Sequence, residues 1–235
     1  MENVLFENAV ALDSKIHASH KLKRSKTYAF ARNVLSAPLS ISEVIKASRE
    51  FPIFFPNSGK FLPVAQMGFK QNGNLYINDD NQWTARYVPA HIRRFPFVLG
   101  EKEKAGEYLI MVESDRMSTN GDGEPLFVNG AVPAGGAIER ARTFLVDFQR
   151  ELKQTEAFLK PLLDSNILVS KRFTMQAGDK VLGSVTDLQI VDSEKLAGLD
   201  DATLADWVRN GLMGIILAHL NSLENWNGHN ALTSS

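Results

Sequence analysis

Hydrophobic periodicity changes near residue 137, and that change restricts the folds open to this chain more than any other feature. Before it, apolar residues come in short runs broken by Pro, Gly, Asn and Asp: "IFF" at 53–55, "FLPVAQMGFK" at 61–70, "NLYIN" at 74–78 and "EYLIMVE" at 107–113. Such runs predict strands joined by turns. After it, Ile138, Ala141, Phe144, Leu145, Phe148, Leu152 and Phe158 recur at helical spacing over 137–159, and Pro161 predicts the stop. "NILVSKRFTMQ" and "KVLGSVTDLQIV" flank "AGD", the pattern of a β-hairpin. A last stripe of Leu204, Val208, Leu212, Ile215 or Ile216, Leu220 and Leu223 predicts one long terminal helix. Asp200 or Asp201 caps that helix in this reading, and Gly228 ends it. The expected fold is α+β, with a strand-rich N-terminal half, a helix–hairpin–helix C-terminal half and a mixed, mostly antiparallel sheet. One domain over 1–235 is expected, with "GAVPAGGA" at 130–137 as the only internal boundary to consider.

Weaker signals complete the reading. Phe6 to Leu12 predicts a short strand, "SKIHASHKLKRSK" a basic loop, and "TYAFARNVLS" (27–36) another strand. "SISEVIKASREF" predicts a short helix capped by Ser40 or Ser42, with Val44, Ile45 and Ala47 on its less polar side and Pro52 as its stop. Asn72-Gly73 predicts the turn of a hairpin. In "YVPAHIRRFPF" (87–97), Pro89 suits the first turn of a short helix that ends before Pro96. Phe51-Pro52, Phe55-Pro56 and Phe95-Pro96 each hold the phenylalanine in an extended conformation, as fixed exits from helix or strand.

Composition removes several functions. The formal net charge is −1, so no global field selects nucleic acid. The absence of cysteine excludes disulfides, thiolate metal sites and cysteine nucleophiles. Leu212 to Leu220, the longest apolar run, is about half of the roughly 20 residues a spanning helix needs, so no membrane span is expected. The N-terminus carries no cleavable signal pattern, and a cytoplasmic location is the expectation.

No catalytic constellation emerges. There is no G-x-S-x-G, Walker A, G-x-G-x-x-G or HExxH sequence. His17 and His20 sit three apart but lack a third ligand at recognisable spacing; two solvated loop histidines are the plainer reading, and no metal or cofactor is expected. His219, inside an apolar helix, reads as a satisfied core or boundary histidine. What remains is the 87–97 block. Arg93 and Arg94 offer two forks suited to carboxylate or phosphate, and Trp83, Tyr87 and His91 stand close in sequence. These five residues are the candidate ligand-binding set. The alternative is that one arginine pairs with a carboxylate and the other lies on an aromatic ring.

Several blocks together resemble the SapC family of bacterial proteins: "YAFARNVLSAPLSISEV" (28–44), "FPIFF" with "PVAQMGF" (51–69), "NLYIN…W…YVPAHIRRFPF" (74–97) and "VDSEKL…LAHLNSLENW" (191–226). The resemblance implies a bacterial accessory protein, since family members often look like neighbours of TonB-dependent receptors and of flavin-dependent halogenase-like or cupin-like genes. It carries no catalytic motif to place on this sequence. The peptide-transporter permease of the same name is a different protein, because this chain lacks spanning helices. The leading expectation is therefore a non-catalytic binding or accessory protein, tied to an outer-membrane (TonB-dependent) uptake or tailoring system and meeting a protein partner or a small anionic ligand. An enzyme or enzyme partner with a pocket around His91, Arg93 and Arg94 is the alternative, and a surface-layer component is the second. The terminal helix, with Trp207 and Trp226 towards its ends, packs internally or forms a homodimer seam.

Overall fold

The computed structural model describes residues 5–70, 73–101, 108–177 and 180–225. Its elements follow the change of period. The first half is built of short strands: β1 (Ala9–Ala11), β2 (Lys21–Leu22), β3 (Ser36–Pro38), β4 (Ile53–Pro56), β5 (Val64–Gln66), β6 (Gly68–Phe69), β7 (Gly73–Asn74), β8 (Phe97–Glu101), β9 (Tyr108–Glu113), β10 (Met117–Ser118) and β11 (Glu124–Pro125). Two short helices interrupt them, α1 (Ile41–Ala47) and α2 (Ala90–Arg93). The second half runs α3 (Ala137–Phe158), α4 (Lys160–Asp164), the hairpin β12 (Leu168–Ala177) and β13 (Lys180–Val191), then α5 (Ser193–Ala197), α6 (Asp201–Asn210) and α7 (Leu212–Ser222). The fold is α+β, and every named strand pairing is antiparallel.

The largest sheet has the order β12-β13-β4-β5-β3 and joins the two halves of the chain. Strand β4 is the hinge of that arrangement. "IFF" carries no alternation because both faces of this strand are covered, and Ile53, Phe54 and Phe55 are all fully buried. Helix α7 lies against it through two polar residues that the apolar stripe would not suggest. His219 Nδ1 donates to the Ile53 carbonyl at 2.8 Å, and its Nε2 accepts from Val191 N at 3.1 Å. Ser222 Oγ accepts from Ile53 N at 2.9 Å and donates to the His219 carbonyl at 2.6 Å. His219 is thus a satisfied core histidine, and burial lowers its pKa to about 4.

Four expectations change. The terminal helix is not continuous: Gly211 sits at φ +88° and splits it into α6 and α7, with Asn210 Oδ1 accepting from Leu212 N at 2.9 Å to cap the second piece. Glycine reaches that conformation without a Cβ clash, so the chain turns there. The turn takes Val208 off the apolar stripe, and it is 64 % exposed. The expected N-cap holds, since Asp200 Oδ1 accepts from Thr203 N at 2.9 Å. The expected stop at Gly228, and Trp226, lie outside the described residues, as does Asn72 of the expected turn. Gly211→Ala is expected to cost about 1 kcal/mol by placing a Cβ at positive φ. A melting temperature unchanged within error would contradict this.

"TYAFARNVLS" is not a strand: Ala29–Ala31 form a 3₁₀ turn, and only Ser36 enters β3. Its apolar residues serve the core one by one rather than along a pleat, Ala31 and Val34 being buried. Conversely, "FVLGE" forms β8, a strand that the sequence patterns did not single out. It pairs with β9, which in turn pairs with β1, from Ala9↔Glu113 to Ala11↔Met111. The pair His17 and His20 also departs from expectation. His17 is buried, its Nδ1 accepts from Asp13 N at 3.0 Å, and it meets His20 edge-on at 5.2 Å. The Asp13 carboxylate takes Lys15 N and Ile16 N, folding the loop into a turn that turns His17 inward.

Among the described residues, no helix is long and apolar enough to cross a membrane.

Candidate functional site

The site region is where α1, α2 and α3 converge, and one carboxylate organises it. Glu43 stands at the third position of α1, in the sequence "SISE", where a capping-box acid belongs. Its Oε2 accepts from Ser40 N at 2.9 Å and Ser40 Oγ at 3.1 Å. Its Oε1 reaches across the fold and accepts from Ala90 N and from Tyr87 Oη, each at 2.7 Å. One side chain therefore caps its own helix and also takes the first amide of α2. Glu43 is 4 % exposed and its acceptor positions are filled by four donors. From the other side, Thr155 Oγ on α3 accepts from Ile41 N at 2.8 Å, so α3 also serves the start of α1.

Pro89 opens α2 and Arg94 closes it, as the proline spacing predicts. One turn is enough to send successive side chains in different directions. His91 is 3 % exposed, and burial together with the nearby Arg94 charge lowers its pKa to about 3, which keeps it neutral. Arg93 is exposed; its Nε donates to the Val88 carbonyl at 3.0 Å, and its guanidinium lies over Phe144 at 5.3 Å. Arg94 points the other way, its guanidinium over Phe6 at 5.1 Å. Its Nε is buried with no hydrogen-bond partner among the described residues, and burial lowers its pKa to about 10. Neither arginine forms an ion pair among the described residues; both lie on aromatic rings instead.

Two clefts flank Arg93. The larger, of about 510 Å³, lies between α1, α2 and α3; Glu43, Lys46, Tyr87, Arg93, Asp147 and Glu151 supply most of its polar lining. The smaller, of about 300 Å³, lies between α2, β8 and α3. Arg93, Arg94 and Arg140 are its charged residues, and the rest of its lining is apolar. Of the five residues singled out in the sequence, Tyr87 lines the larger cleft, Arg94 the smaller and Arg93 both. His91 and Trp83 line neither. Trp83 donates from its indole nitrogen to the Tyr87 carbonyl at 2.9 Å and packs among Tyr28, Phe51 and Tyr76. It holds the block from behind.

Two contributors escaped the sequence reading. Phe144 counted there as a core position of α3, yet it lies between the clefts under Arg93. Glu43 had a readable local signal in Ser40-x-x-Glu43, but nothing local announces its bonds to Tyr87 and Ala90.

The chemistry of these groups is restrained. Burial and the adjacent Glu43 carboxylate push the Tyr87 phenol well above its ordinary range, so it stays protonated at neutral pH. His91 stays unprotonated there and Glu43 has no free acceptor position. No set of three or more His, Asp or Glu residues able to hold a metal ion occurs among the described residues. Of the five residues singled out in the sequence, Arg94 has a buried nitrogen, Nε, without a hydrogen-bond partner among the described residues.

The SapC family model matches residues 12–228. The chain belongs to the SapC family. The SapC match spans everything from the basic loop through α7 and so includes both clefts and the arginine pair. No curated protein and no solved structure matches the chain.

Proposed function

We propose that this SapC-family protein is a non-catalytic binding or accessory protein whose Arg93–Arg94 region takes an anionic group from a small molecule or a protein partner. One observation carries the reading: Arg94 is a largely buried guanidinium whose Nε has no acceptor and which has no carboxylate partner among the described residues. Burying a cation without a hydrogen-bonding anion is costly, and a bound carboxylate or phosphate relieves that cost. The fixed protonation of His91 and Tyr87 near neutrality, with the Glu43 carboxylate oxygens taken up by four donors, supports binding rather than proton transfer.

Inorganic phosphate tests the site, with melting temperature as the readout at constant ionic strength. Ligand at ten times its Kd stabilises by about 1.4 kcal/mol, a rise of about 3–5 °C for a chain of this size. That rise is expected in the wild type and in Arg150→Gln, whose guanidinium is engaged by Asp147 at 2.7 Å on the surface. It is expected to vanish in Arg94→Gln. Equal rises in wild type and Arg94→Gln would remove Arg94 from the site.

The link to an outer-membrane, TonB-dependent uptake or tailoring system rests on the family resemblance. Affinity capture from the native cell tests it, and recovery of neither a receptor nor a tailoring enzyme would count against it. The cytoplasmic location is a proposal of the same standing. Fractionation that finds the protein only in the surface fraction would favour the surface-layer reading instead.

A further inference from the structure

The two clefts differ in the chemistry they offer an anion. In the larger one, Glu43, Asp147 and Glu151 stand beside Lys46 and Arg93, so an incoming anion meets three carboxylates. The smaller one has three arginines, no carboxylate and no neutral polar side chain in its lining. Its cations are not equivalent. Arg140 is held by Glu124 at 2.7 Å and also by the Gly135 carbonyl. Arg93 spends its Nε on the Val88 carbonyl. Arg94 alone keeps a buried donor open.

The rest of that cleft is as informative as its charge. Phe97, Ala137, Ala141 and Leu145 belong to the hydrophobic cluster that also holds Val112, Leu126, Phe127 and Ile138. They form a wall where the core reaches the surface, with Phe144 and Leu22 beside it. An inorganic ion would satisfy Arg94 and leave the edges of this wall, with the half-buried Phe144 and Leu22, against water. A ligand with an apolar body removes that surface from water as well. The volume of about 300 Å³ is at the lower end for ligand pockets, so the body is short.

We propose that the ligand of the smaller cleft is amphipathic, a carboxylate or phosphate ester carrying a short apolar body. Its anionic head meets Arg94, and its body lies on Phe97, Ala141 and Leu145. This rests on the anion reading given above and adds the ligand class to it.

A chain-length series separates the two claims without requiring any variant to fold. Acetate, butanoate, hexanoate and octanoate are titrated by calorimetry at constant ionic strength, with hexyl phosphate and neutral hexanol alongside. Each methylene that enters the cleft is expected to tighten binding about three- to fourfold, the factor equivalent to about 0.8 kcal/mol per buried CH₂, until the cleft is full and affinity levels off. Hexanol is expected to bind at least about tenfold more weakly than the better of the two charged six-carbon ligands, since a charged hydrogen bond is absent. The tighter of hexanoate and hexyl phosphate identifies the head group. Arg94→Gln is expected to bring the charged ligands down to the level of hexanol. Binding that is equal from acetate to octanoate overturns the amphipathic class while leaving the anion site in place. Tight octanoate binding that survives Arg94→Gln also overturns it, because the apolar chain is then held elsewhere. No binding by any anion, phosphate included, removes both.

Discussion

Glu43→Ala is expected to lower stability by about 4 kcal/mol, because each buried donor left without an acceptor costs roughly 1–3 kcal/mol and four lose theirs together. Water entering from the adjoining cleft offsets part of that sum, which keeps it below the simple total. At about 2–4 °C per kcal/mol for a chain of this length, the melting temperature should fall by roughly 10 °C. Glu43→Gln retains the shape and one acceptor oxygen but presents an amide N–H₂ to donors, so it should fall between, at about 2 kcal/mol. Urea unfolding with unchanged m values measures both. A loss under about 1 kcal/mol for the alanine variant would mean that these bonds are readily replaced by solvent, and Glu43 would lose its place as the link between α1 and α2.

Acidification should destabilise the protein through histidines buried in the neutral form. His219 uses both ring nitrogens, one as donor to Ile53 and one as acceptor from Val191 N, and protonation destroys the acceptor. Its pKa is near 4 in the folded chain against 6.5 when exposed. Between those values the unfolded state binds more protons than the folded one, so stability rises with pH through that window and is lost as pH falls from 6.5 towards 4. A depression of this size corresponds to a loss on the order of 3 kcal/mol from His219 alone. His91, with its pKa near 3, carries the same trend to lower pH. Unfolding free energies at pH 7 and pH 4.5 should therefore differ more in the wild type than in His219→Gln, which is less stable at pH 7 but has no proton to take up. Parallel pH profiles for the two proteins would show that His219 does not contribute to acid sensitivity.

The elements most legible in the sequence are those whose cause is local. The helical spacing predicts α3, in which Ile138, Ala141, Leu145 and Phe148 are buried as expected, while Phe144, Leu152 and Phe158 of the same stripe are half-buried. Asp200 caps α6 through an amide three residues on, and Pro89 opens α2. The hairpin of β12 and β13 follows from two apolar runs about a short turn. Errors arose where a short segment could be read in more than one way. "TYAFARNVLS" has strand-like composition, but its backbone follows a 3₁₀ turn because Ala31 and Val34 bury individually. "FVLGE" became a strand because β9 lay beside it, and a sequence window contains no information about its neighbour. The stripe through α6 and α7 is continuous in sequence, yet Gly211 adopts a conformation that its apolar neighbours do not reveal.

The candidate site divides along the same line. Residue types and order were enough to mark Arg93 and Arg94 as forks for an anion, to place them on one short helix between two prolines, and to bring the SapC resemblance into view. Only the tertiary structure decided that Arg93 lies in the open on Phe144, that the half-buried Arg94 has an Nε with no acceptor among the described residues, that Trp83 supports from behind, and that Glu43 joins two helices more than forty residues apart. The physical reason is that periodicity and capping act over three or four residues. A buried charge, by contrast, is defined by which distant groups come within about 3 Å of it, and by which do not.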